Sequence, residues 1–123
     1  MSFAAWIIAG VVAMGPQVTY PEDQFGSVAV CFETEAFGYS RNMPSQSWAD
    51  DVAVKQCQES GGRSCQVILH MRNGCGAVAL GDERITTGNG KTPEAAALAA
   101  LQQCRRDTDN CSVALNLCMD RID

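Results

Sequence analysis

Three kinds of residue are scarce in this chain of 123. Histidine occurs once, as His70; aromatic residues make up 7%; and no Asp, Glu, Lys or Arg precedes Glu22. The cysteines contain no C-x-x-C, the usual half-site of a zinc ligand set, so with a single histidine a structural or catalytic zinc centre is disfavoured. Nine Lys and Arg against fourteen Asp and Glu leave a net charge of -5. That balance argues against nucleic-acid binding, which needs clustered cations to neutralise phosphates. A long apolar run is missing as well. Phe3 to Gly15 is uncharged and apolar but spans only 13 residues, roughly 20 Å as a helix against a bilayer core of roughly 30 Å. A stable membrane anchor is therefore not expected.

That short run suits the apolar region of an export signal, with small residues up to Ala13 offering a cleavage site, although the basic residues that usually precede it are absent. The reading is thus an export segment over 1–15, a linker over 16–24, one domain over 25–119 and a tail over 120–123. Seven cysteines in a small chain agree with export, because disulfides persist outside the cytosol and small domains gain from them. The expected location is periplasmic or secreted.

The chain repeats itself. GSVAVCFE from Gly26 matches GAVALGDE from Gly76, and SQSWADDVAVKQC from Ser45 aligns without gaps on TPEAAALAALQQC from Thr92. A polar loop follows each, then a cysteine that opens an apolar run, CQVILHM from Cys65 and CSVALNL from Cys111. Ser45 and Thr92 are N-cap residues, and Pro93 fits the first helical position. Alternation places Val28, Val30 and Phe32 on one strand face, Val67, Leu69 and Met71 on another, and Val113, Leu115 and Leu117 on a third. The expected fold is α+β: two pseudo-symmetric ββαβ repeats forming one mainly antiparallel sheet, with both helices packed on it and disulfides stapling it.

The cysteine positions suggest Cys57–Cys65 and Cys104–Cys111 as ties from a helix end to the next strand, once per repeat. Cys75 and Cys118 are left to bridge the two halves. Cys31 is the odd thiol, either buried or an intermolecular link.

Taken together, FGYSRNMPSQSWADDVAVKQC (Phe37 to Cys57), CQVILHMRNGCGAVALG (Cys65 to Gly81) and TGNGKTPEAAALAALQQC (Thr87 to Cys104) resemble the bacterial domain-of-unknown-function family four-one-eight-nine. The resemblance implies an exported, disulfide-containing α+β domain in which partner binding is plausible, and it supplies no catalytic residues. Cys31 stands outside the family's usual cysteines.

Candidate chemistry is sparse. Gly88 to Thr92 ends in Gly-Lys-Thr before a helix, but the first glycine of a phosphate-binding loop would fall on Ile85. His70 is a possible general base, alone or with a free Cys31 thiolate. Glu33, Glu35, Asp50, Asp51, Asp82 and Glu83 are candidates for a carboxylate pair acting on a glycan, although each reads as a turn or polar-face residue. Asp107 to Asn110 lacks the glycine and distal glutamate of a helix-loop-helix calcium site. No metal or other cofactor is implied. The loop of the first repeat carries Phe37, Tyr39, Arg41, Asn42 and Met43, is three residues longer than its counterpart, and has the aromatic and arginine content of a recognition surface. The expectation is an exported binding module without catalytic activity, such as an envelope immunity or inhibitor-type protein or a secreted effector, with a basic protein partner. The competing expectation is an envelope hydrolase acting on peptidoglycan or another glycan.

Overall fold

The computed structural model describes residues 22–123; the export segment expected over 1–15 and the linker up to residue 21 lie outside the described residues. The element order is β1 (Phe25–Cys31), β2 (Ala36–Met43), α1 (Gln46–Glu59), β3 (Gln66–Arg72), β4 (Cys75–Leu80), β5 (Ile85–Gly90), α2 (Pro93–Asp107) and β6 (Ser112–Cys118). This is ββαβ written twice. Both helices start as their caps dictate. The Ser45 hydroxyl accepts from the Trp48 amide at 3.1 Å, and the Thr92 hydroxyl accepts from the Ala95 amide at 3.0 Å, each satisfying a first-turn donor that has no partner within the helix.

Each repeat builds its own antiparallel sheet, in the order β2-β1-β3 and β5-β4-β6. The single sheet expected from sequence is thus two. The reason lies in the central strands, which are buried on both faces. In β1, Ala29 packs towards α1 while Val28 packs towards the other sheet; in β4, Ala77 and Ala79 face α2 while Val78 faces the first sheet. The result is four layers, with a helix outside each sheet and a seam between the sheets. Alanines line the outer layers, where Ala53 and Ala100 let the helices come close, and Val28, Leu69, Met71, Val78 and Met119 fill the seam.

The faces assigned to β3 and β6 need correction. Val28 pairs with Leu69 but Ala29 pairs with Val67, so Ile68 is an extra residue; likewise Val78 pairs with Leu115 and Ala79 with Val113, leaving Ala114 extra. A bulge reverses the side-chain alternation at that point. Val67 consequently packs on the α1 side while Leu69 and Met71 enter the seam. The bulges fall at matching places in the two repeats.

The halves are joined by the seam and by a polar corner. Asn73, in the link between them, accepts from the Gln24 amide at 2.9 Å and donates to Asp123 at 2.8 Å. The Arg121 amide donates to Gln24 at 2.6 Å, and its guanidinium pairs with Asp23 at 3.1 Å.

Candidate functional site

At the opposite end of the strands the two hairpin turns, 32–35 and 81–84, come together around a cleft of about 630 Å³. These turns are equivalent in the repeat. The cleft contains Phe37, Leu80 and Ile85, which also pack against the seam. Phe32 stands at its edge with 55% of its surface exposed. Glu35, Asp82 and Glu83 bring three carboxylates to its lining, against one guanidinium, from Arg84. Local structure holds these groups out. Glu35 adopts a positive φ of 61° as its amide donates to the Cys31 carbonyl at 2.8 Å, and Asp82 accepts from the Asn110 side chain at 2.8 Å. A partly apolar cleft edged by carboxylates can hold an apolar side chain flanked by cations.

The five residues expected to form a recognition loop are placed differently. Phe37, Tyr39, Arg41, Asn42 and Met43 all belong to strand β2. The extra length of this segment goes into the strand and into a register shift opposite Gly26, with Asn42 at φ 58°. Phe37 reaches the cleft. Tyr39 is exposed on the strand. Arg41 braces the two halves, donating to the Cys118 carbonyl at 3.0 Å and pairing with Asp120 at 2.7 Å. Asn42 accepts from the Asp120 amide at 2.8 Å. Asp120, in the segment read as a tail, is thus tied to β2.

Of the six carboxylates considered for acid–base chemistry, Glu35, Asp82 and Glu83 share the cleft. Asp50 belongs to a separate network that sequence reasoning missed. It accepts from the Ser27 hydroxyl, and His70 Nε2 lies 3.0 Å from its Oδ1. Gln46 donates to Ser27 Oγ at 2.8 Å. Ser27 and His70 are register partners across β1 and β3. Serine, aspartate and histidine meet here, but in an order unlike a nucleophilic triad: the aspartate lies between the other two, and the serine is fully buried and donates to the carboxylate. The network anchors α1 to its sheet.

Gly88 and Gly90 are strand residues of β5. A β-carbon on Gly88 would stand 2.4 Å from the Ala100 amide nitrogen, so that glycine serves the close approach of α2. Among the described residues, no group of three or more His, Cys, Asp or Glu side chains could hold a metal ion.

Three disulfides join Cys57 to Cys65, Cys75 to Cys118 and Cys104 to Cys111. The Cys75–Cys118 bond does not bridge the halves as expected. It connects facing positions of β4 and β6, inside the second repeat. Cys31 is a buried free thiol. A hydrogen bond from the Thr34 side chain, followed by one from the Ser64 amide and others from the Thr34 and Arg63 amides, outweighs the effect of burial and lowers its pKa to about 6. Three disulfides suit an oxidising compartment outside the cytosol, and no helix among the described residues is long and apolar enough to cross a membrane.

No curated protein matches this sequence. Among solved structures, the fold is similar to the NMR structure of Rv1813c from Mycobacterium tuberculosis, with a TM-score of 0.60 and 23% identity over 85% of this chain and 83% of that one. At that identity the likeness concerns the fold. A family model described as a domain of unknown function, DUF4189, matches residues 25–118, and the chain belongs to that family.

Proposed function

We propose that the protein is an exported binding module, periplasmic or secreted, that engages a basic segment of another protein through the cleft between its two hairpin turns. The observation that carries this reading is the cleft itself: Glu35, Asp82 and Glu83 beside an exposed Phe32, with a single opposing cation at Arg84. Its acidic lining matches the net charge of -5, and such a field favours encounter with a basic partner at low salt. An exposed aromatic next to a cleft is the kind of side chain that anchors an interface. An immunity or inhibitor-type role in a bacterial envelope, or a role as a secreted effector, fits these features.

The same lining favours one second reading. Carboxylates from two hairpins across a cleft are also the minimum equipment of a glycan hydrolase.

The test compares proteins retained from envelope extract by the unaltered chain, by Phe32→Ala and by Glu35→Lys/Glu83→Lys, at low and high salt. A partner retained by the unaltered chain, released by salt and lost from both variants at unchanged melting temperature supports the binding reading. Turnover of peptidoglycan fragments by the purified protein, abolished by Glu35→Gln, would replace it with the hydrolase.

A further inference from the structure

We propose that Cys31, Cys57 and Cys65 form one thiol–disulfide exchange site, in which Cys31 attacks Cys65 and the free thiol passes to Cys57. The three residues come from β1, α1 and the loop that leads into β3, and meet in one layer, with Cys31 and Cys57 in the core between α1 and the first sheet and Cys65 packed against it. Gly62 shows how close they are. A β-carbon placed there would lie 2.5 Å from Cys65 Sγ, 2.8 Å from Cys31 Cβ and 3.0 Å from Cys57 Sγ. A backbone without a side chain therefore fills the middle of the cluster, with the Cys57 and Cys65 sulfurs and the Cys31 β-carbon around it.

Register supplies the second argument. In the antiparallel β1–β3 ladder Val30 pairs with Gln66, so the next step brings Cys31 opposite Cys65. The second repeat already contains a disulfide between facing strand positions, Cys75 and Cys118. A Cys31–Cys65 bond has the same cross-strand form, so this fold accommodates both kinds of connection, strand to strand and helix end to strand. The hydrogen bonds from Thr34, Ser64 and Arg63 that hold Cys31 as a thiolate supply the nucleophile that exchange requires.

The step balances without an external oxidant. Cys31 gives its proton to solvent, its thiolate forms a bond to Cys65 Sγ, the Cys57–Cys65 bond breaks, and the electron pair leaves on Cys57 Sγ, which takes that proton back from solvent. One disulfide and one thiol are present before and after. The covalent tie moves from the end of α1 to the end of β1, where Cys31 also lines the cleft.

The experiment incubates the oxidised full chain at about pH 8, where a thiolate of this kind is populated. It is then quenched with acid, unfolded, and labelled with N-ethylmaleimide under mildly acidic denaturing conditions before peptide mapping. Label divided between Cys31 and Cys57, with a Cys31–Cys65 peptide, is expected. In Cys57→Ala incubated with oxidised glutathione as the oxidant, read on the folded fraction, Cys31 and Cys65 pair and the label is lost. Label on Cys31 alone after a day of incubation overturns the proposal whatever the variant shows, and so do two labelled thiols in folded Cys57→Ala.

Discussion

Arg72 lies over the ring of Phe25, 6.0 Å from its centre, at the place in the first repeat that the Cys75–Cys118 disulfide takes in the second. Both are facing pairs between the first residue of a central strand and the last residue of the repeat. One half of a pseudo-symmetric molecule is closed by a covalent bond, the other by a cation over an aromatic face. Replacing Cys75 and Cys118 together by alanine is expected to cost about 2–4 kcal/mol, whereas Arg72→Ala, which loses the exposed ring contact together with the exposed pair to Asp23, costs about 0.5–2 kcal/mol. Denaturant unfolding of the two variants checks the ratio.

Acid sensitivity centres on Asp23. The Asn73 side-chain hydrogen bond, then that of Arg72, with the charges of Arg72 and Arg121 adding to them, hold its carboxyl below the ordinary carboxylate range. A group whose pKa is lower in the folded state binds fewer protons folded than unfolded. Its stabilising contribution is therefore complete above the unfolded pKa and disappears as pH falls through the folded one. Asp23→Asn is expected to flatten the loss of melting temperature below about pH 4 and to lower stability at neutral pH. Thermal melts across that range, for both proteins, measure the difference.

Asn42 is held in the left-handed region at φ 58° and accepts from the Asp120 amide. Asn42→Ala loses both the conformational tolerance and the bond, and about 1–3 kcal/mol is expected. Asn42→Gly restores the backbone freedom and loses the bond, so it falls between the two. Urea midpoints of the three proteins give the order.

A β-carbon on Gly38 would stand 2.1 Å from the Ala53 carbonyl oxygen and 2.3 Å from the Cys57 amide nitrogen. Both are helix backbone atoms and cannot turn aside. Gly38→Ala is expected to push α1 off its sheet at a cost of about 1–3 kcal/mol or more. Faster amide exchange confined to α1 and β2 is the accompanying signature, and unchanged exchange there would contradict the packing argument.

The sequence carried the repeat, the two helices and their caps because those signals are local. Ser45 and Thr92–Pro93 mark helix starts by chemistry that needs no tertiary partner. The return strand of the first repeat was legible but its extent was not, because Gly38, Ser40 and Asn42 are turn-forming residues that only pairing with β1 extends. The bulges at Ile68 and Ala114 left no mark, since an inserted apolar residue in an apolar run reads as more strand. Asp50 looked like part of a polar helix face until Ser27, fifty residues before its repeat partner Ala77, was found beneath it. The cleft was illegible for a similar reason. Its walls are two turns far apart in the chain, each ordinary alone, that become one site only when the sheets stack.

The polar corner around Asn73 fixes where the domain is tethered. Residues 23 and 24 and residues 121 and 123 meet there, at the starts of β1 and β4, whereas the cleft lies at their far ends. Any segment joined at either side of the domain, whether an anchor, a linker or a fused reporter, is attached behind it. The chain thus enters the described domain and reaches residue 123 on the side remote from the cleft.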